Sequence, residues 1–224
     1  MPRDVRLLRD LALSHVLGRD QIIQLGYFST VTRANTRLRM LRAAGFVSAL
    51  PTPFHGQFLY TVGPSAKRLV GERISSVIES RRGSPRFLQH SLMTTNCRIA
   101  LREQGWHSWR FEAQLRRSFR LGAQSFEVRP DGMMTIAERA TCIEVDMGHT
   151  APSKFAERLI AYDLFQSTGE AMRQWGIGNL SILTITTGIR RAQSLAILSP
   201  KDSPVAFEVR TFESLGVGIM GDWS

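Results

Sequence analysis

Ser29-Thr30-Val31-Thr32-Arg33-Ala34-Asn35-Thr36-Arg37-Leu38-Arg39-Met40-Leu41-Arg42 is the stretch on which the fold turns. Val31, Ala34, Leu38 and Leu41 recur at the spacing of one helical face, and Thr30, Thr32, Arg33, Thr36 and Arg37 fall on the other. Ser29 stands where a side-chain oxygen can cap the first turn, and Gly45 where a helix can end. Two helices are predicted upstream. Asp4 to Leu17 carries Val5, Leu8, Leu11, Ala12 and Val16 and stops at Gly18, and the shorter Asp20 to Leu25 stops at Gly26. Downstream, Phe46 to Leu50 and Phe58 to Val62 read as strands around the turn residues Pro51 to Gln57. Three helices followed by two short strands predict a helix-turn-helix with a wing. A third helix with Thr and Arg on its exposed, N-terminal side suits the major groove. There arginine can donate two bonds to guanine, and threonine can meet thymine methyls or phosphates. Arg39 and Arg42, nearer the helix end, are placed to hold phosphate. The DNA-binding candidates are therefore Thr30, Thr32, Arg33, Thr36, Arg37, Arg39 and Arg42. The competing interpretation is a small helical domain whose arginines form a solvated face, or a winged helix that contacts protein.

Charge favours DNA. The 224 residues carry 29 Lys+Arg against 19 Asp+Glu, a net of +10. Residues 1–86 hold 14 basic and 5 acidic side chains, whereas 87–224 hold 15 and 14. A basic front on a balanced back points to a polyanion-binding module joined to something else. Only Lys67, Lys154 and Lys201 are lysines, and arginine suits bidentate contacts. Several classes fall away. Met1-Pro2-Arg3-Asp4 does not open a secretory signal, and no run reaches the ~18 apolar residues of a membrane span. Cys97 and Cys142 make no disulfide framework, so a reduced, cytoplasmic setting is expected. The scattered histidines offer no zinc spacing, and there is no phosphate-binding glycine loop.

The organisation expected is a winged-helix domain over 1–70, a helical linker over 71–86 and an α/β domain over 87–224. Ser65 to Arg82 reads as helical, with a breaker cluster at Arg81 to Pro85. A helix follows from Phe87 to about Gln104, then an amphipathic stretch from Trp106 to Leu121 that includes Glu112. Strands are predicted at 125–129, 133–136, 141–147 and 180–186, with a helix from Ser153 to Ser167. Val205 to Phe212 reads as an edge strand. Alternating strands and helices predict a mixed sheet flanked by helices, an α/β (α+β) fold.

The chemistry-bearing residues of the back half are carboxylates. Asp131 follows Pro130, and Glu144-Val145-Asp146 begins thirteen residues later. A period of two places Glu144 and Asp146 on one face of a strand, and a preceding strand pair can bring Asp131 alongside. Three converging carboxylates repel one another unless a cation sits between them, and hard oxygen ligands select Mg²⁺ or Mn²⁺. Asp131, Glu144 and Asp146 are the metal candidates on this view. The opposing view is that Asp131-Gly132 is a turn dipeptide, with Glu144 and Asp146 paired to Arg158 or Arg139.

The order of a winged helix, a helix opening near His90, Trp109-Arg110-Phe111-Glu112, Pro130-Asp131, Glu144-Val145-Asp146, Thr150 and a helix reaching Tyr162 resembles the replication-relaxation family of plasmid and mobile-element proteins. The wing end, Leu59 to Pro64, is similar as well, and the resemblance covers roughly residues 5–190. It implies a restriction-endonuclease-like core behind the winged helix, with some relatives acting as relaxases that nick an origin of transfer. Glu112 would then be the helix carboxylate beside the metal, Asp131 the central ligand and Glu144 the second. Asp146 stands where such a nuclease usually has a lysine that stabilises the attacking hydroxide or the phosphate charge. Lys154 is the migrated candidate for that role. Arg158, four residues before Tyr162, is an alternative that could bind phosphate but accept no proton.

The expected function is a DNA-binding protein of plasmid replication or mobilisation, whose nuclease-like domain nicks or clamps DNA with a divalent metal. The competing class is a non-enzymatic regulator, a repressor or replication-control factor whose back domain serves dimerisation. Expected partners are double-stranded DNA, a second copy of the chain and other plasmid replication or mobilisation proteins, with no membrane.

Overall fold

The computed structural model describes residues 1–51, 56–70, 84–136 and 139–218. The chain divides into two compact units, Met1–Ile99 and Ala100–Ile219, and the boundary falls inside one helix. The mixed α/β class expected from the sequence is the class observed.

In the first unit, α1 (Pro2–Leu13) opens on a proline, whose missing N–H costs nothing in a first turn. It buries Leu7, Leu8, Leu11 and Ala12. A two-residue strand β1 (Leu17–Gly18) leads to α2 (Arg19–Gln24) and α3 (Val31–Ala43). Gly45, at φ +74°, adopts the left-handed conformation after α3 that favours glycine. The chain then forms β2 (Val47–Leu50) and β3 (Leu59–Val62). The three strands pair antiparallel in the order β1-β3-β2. Their inner face and the three helices enclose Leu7, Leu11, Leu17, Ile22, Ala34, Leu38, Val47 and Val62. Beyond β3 lie a 3₁₀ turn (Pro64–Ala66) and α4 (Lys67–Val70). The rest of the predicted 65–82 helix, most of the 71–86 linker and residues 52–55 of the wing turn fall outside the described residues.

Helix α5 (Pro85–Glu103) is the helix predicted from Phe87. Its first half packs Leu88 and Leu92 against Val16 and Leu59. Two polar connections fasten it there. Gln21 donates to the Leu92 carbonyl (2.8 Å) and to Asn96 Oδ1 (2.7 Å). Arg98 donates twice to the buried Asp10, at 2.6 and 3.1 Å.

The second unit is built on a five-stranded mixed sheet. Strand β7 (Gly132–Ile136) pairs antiparallel with β4 (His107–Phe111) on one side and with β8 (Arg139–Asp146) on the other. Strand β9 (Leu180–Thr186) pairs parallel with β8, and β10 (Ala206–Thr211) pairs parallel with β9 at the sheet edge. Helices α7 (Pro152–Ser167) and α8 (Glu170–Trp175) connect β8 to β9, and α9 (Ile189–Ala196) connects β9 to β10. The strands predicted around 133, 141 and 180 and the edge strand near 205 are all present, as is the helix from about 153 to 167.

The stretch from Trp106 to Leu121 differs from its amphipathic-helix pattern. It forms β4, the single-turn α6 (Glu112–Leu115) and β5 (Arg117–Leu121), the last paired with β6 (Gln124–Val128) in a hairpin. Its aromatic side chains are better buried as strand residues. Phe119 stacks on Phe126 and packs against Phe165. The Trp109 ring lies over Gly132, where an added Cβ would collide with it, so glycine suits the pairing of the two strands there. The helices α8 and α9 lack a sequence expectation. The first is a six-residue turn of helix between Gly169 and Gly176, too short for periodicity to reveal.

Candidate functional site

Two groups of residues carry chemistry, one in each unit. The first is the outer face of α3. Thr30, not Ser29, caps the helix: its hydroxyl accepts the Arg33 backbone N–H at 3.3 Å, while Ser29 Oγ accepts from the Arg33 guanidinium at 3.1 Å. Thr30, Thr32, Arg33, Thr36, Arg39 and Arg42 are exposed. Val31, expected on the core face, is also exposed, because the first turn projects beyond the core. The guanidinium of Arg42 lies 5.9 Å from the Phe58 ring centre.

Arg37 behaves differently from its neighbours. Both its Nε and Nη2 donate to Asp4 of α1, at 3.1 and 2.7 Å, in a two-pronged pair. Asp4 is buried at 5 % exposure. The Arg37 hydrogen bonds, against the opposing effect of burial, hold the Asp4 carboxyl below its ordinary range. Arg37 therefore fixes α3 on α1 and has its charge spent inside the protein. Arg3 brings an unpredicted cation to the same face, its guanidinium 4.7 Å from the Phe28 ring centre. The early Pro2-Arg3-Asp4 turn of α1 is the only signal in the sequence for either contribution.

The second group surrounds β8. Glu144 is 3 % exposed and both its oxygens are engaged: Oε1 accepts from Tyr162 (2.5 Å) and Oε2 from Arg158 (3.1 Å), both on α7. Burial first, then the charge of Asp131, pushes Glu144 up to about 7, against the opposing pull of Arg158 and Tyr162. Asp131 Oδ2 accepts the Val145 backbone N–H at 2.7 Å, which draws the start of β7 to the end of β8. Burial, then the nearby Glu144, drives the Tyr162 hydroxyl well above its ordinary range, so it remains a donor.

Asp146 shares the β8 face but has other partners. Arg191 of α9 donates to it twice, at 2.8 and 3.2 Å, and Thr186 once, at 2.8 Å. Arg191 also donates to the Thr150 carbonyl at 2.5 Å. Burial favours the neutral acid, but these bonds outweigh it and hold Asp146 below its ordinary range. Glu112 pairs with Arg129, and Lys154 pairs with Glu157 on the exposed side of α7.

The structure thus brings together Asp131, Glu144, Arg158 and Tyr162, and it leaves Asp146, Glu112 and Lys154 each with separate partners. Arg158, four residues before Tyr162 on one helix face, is the basic group beside the carboxylates. Among the described residues no three His, Cys, Asp or Glu side chains gather as a metal ion would require. A divalent ion needs carboxylate oxygens that can turn to it. With Glu144 held at both oxygens and Asp146 held by Arg191, the set Asp131, Glu144 and Asp146 does not fit one.

The sequence matches the replication-relaxation family model over residues 8–180. No curated protein matches it. Among solved structures it is similar to the crystal structure of protein VC1899 from Vibrio cholerae, at 12% identity and a TM-score of 0.34, covering 96% of this chain and 54% of that one. The chain spans about half the length of that protein. Among the described residues, no helix is long and apolar enough to cross a membrane.

Proposed function

The chain belongs to the replication-relaxation family, and from that premise we propose that it acts in plasmid or mobile-element replication or relaxation as a binder of double-stranded DNA, with no catalysis of its own. The observation that carries this proposal is the outer face of α3, where exposed Thr32, Arg33, Thr36, Arg39 and Arg42 stand on a helix whose other face is fixed in a core. The order α1-β1-α2-α3-β2-β3, with its three strands paired, supports reading this unit as a winged helix, an architecture in which a recognition helix enters the major groove. Arg33 supplies the base or phosphate contact, with Arg39 and Arg42 on the flanking backbone. Arg37 positions the helix through Asp4.

In the second unit, Arg191 neutralises the buried Asp146, and Arg158 and Tyr162 occupy both oxygens of the buried Glu144, which favours a scaffolding role. The convergence of Asp131 and Glu144 is the feature that favours the other reading, a metal-dependent nick in DNA. Supercoiled plasmid incubated with millimolar Mn²⁺ separates the two. Open circles that vanish in Asp131→Asn would establish nicking, and plasmid that stays supercoiled supports the regulator.

For DNA binding, Arg33→Ala is the informative variant, because Arg33 is exposed and its loss leaves the core of the first unit intact. Duplex affinity should fall by roughly 1–3 kcal/mol with the melting temperature unchanged. Unchanged affinity would remove α3 as the reader.

A further inference from the structure

Beside α3 the surface opens into a cleft of about 340 Å³. Phe28, Thr32, Thr36 and Met40 line it, and Arg3 and Arg33 bring two cations to it from different elements. Arg37 also lines the cleft, but its charge is compensated by Asp4. Arg3 has its Nε buried with no hydrogen-bond acceptor among the described residues, and its Nη2 stands 3.9 Å from Asp4 Oδ1, a looser approach than the two hydrogen bonds that Arg37 makes to the same carboxylate. Met40 is 53 % exposed, an apolar side chain presented to solvent on the face of a helix otherwise rich in Arg and Thr.

An occupant must therefore be apolar where it meets Phe28, Met40 and the threonine methyls, and anionic where it meets Arg3 and Arg33. Such a combination occurs along one strand of duplex DNA, where the thymine 5-methyl projects into the major groove beside a phosphate. Threonine methyls and phenylalanine are suited to contact that methyl, and arginine to the phosphate. We infer that the cleft takes the 5-methyl edge of a thymine together with an adjoining phosphate, so that Thr36 and Met40 set a preference for thymine and Arg3 supplies a backbone contact. The inference deepens the DNA-binding proposal above and rests on it.

The test uses deoxyuridine, which differs from thymidine only by the methyl group. The full chain is used to enrich duplexes from a random-sequence pool, and in the enriched duplex each thymine is replaced in turn by deoxyuridine. At one or two positions the wild type should bind about fourfold more weakly, the effect of one buried methyl. That loss should disappear in Thr36→Ser or Met40→Ala, both at exposed positions. Arg3→Ala should weaken binding to all duplexes alike and lower the salt dependence by about one phosphate contact. Specific binding with no thymine sensitive to its methyl would overturn the cleft as a thymine seat while leaving DNA recognition standing. A methyl effect that persists unchanged in both variants would overturn it as well. Failure to enrich any duplex would instead overturn the DNA-binding proposal itself.

Discussion

Arg191→Ala should destabilise the protein by roughly 3–5 kcal/mol, the cost of leaving a buried charge without its partner. Asp146 is 4 % exposed and receives two of its three side-chain hydrogen bonds from Arg191. The same arginine ties the Thr150 carbonyl ahead of α7, so its loss loosens the β8–α7 connection as well as the charge pair. Because Asp146 is held below its ordinary range, its contribution is present at neutral pH and is lost as pH falls through its folded value. Chemical denaturation of the wild type and of Arg191→Ala at pH 7 measures the difference. A change below about 0.5 kcal/mol, the level of an ordinary surface substitution, would show that Asp146 does not depend on this pair.

Glu144 titrates with the opposite sign. Its folded value of about 7 exceeds the ordinary 4.5, so the folded state favours the protonated acid. Its contribution is fully present below pH 4.5 and is lost as pH rises through 7. Between pH 5 and pH 8 the wild type should lose stability from this group, on the order of 2–3 kcal/mol. The groups facing Glu144 are Asp131, Arg158, Tyr162 and Cys142. Glu144→Gln presents one carbonyl acceptor and one N–H donor, the pattern of the protonated acid, yet carries no titrating proton. The variant should therefore be more stable than the wild type at pH 8 and should lack the slope. A wild-type slope retained in Glu144→Gln would assign the pH dependence to another group.

The elements of this fold were largely legible in the sequence because they rest on local periodicity. Leu38 and Leu41 of α3, the alternation along β8 and the β-branched run of β9 each mark an element within a few residues. Gly26 and Gly45 follow the ends of α2 and α3 as local chemistry dictates, whereas α1 stops at Leu13, four residues short of the end expected at Leu17, and Gly18 instead lies in β1 and caps the start of α2. Trp106 to Leu121 was not legible, since spacing that suits a helix face also suits a strand, a turn and a strand, and only packing against Gly132 and Phe165 decides between them. The ion pairs were hidden for a different reason. Arg37 meets Asp4 across 33 residues, and Arg191 meets Asp146 across 45. No local rule reveals a partner at that separation. Of the sequence-based pairings, Glu144 with Arg158 is the one formed, and it is what gives the carboxylate group its closed character.

The central claim is that α3 carries the DNA contact, and the most direct measurement is the affinity of the full chain for duplex DNA between 50 and 200 mM salt, wild type against Arg33→Ala. Counterion release makes the logarithm of affinity fall steeply with the logarithm of salt, by about 0.9 for each phosphate neutralised. The wild type should show a slope of several phosphates, and Arg33→Ala should bind more weakly across the whole range. A flat salt response, or curves that superimpose for the two proteins, would contradict the account.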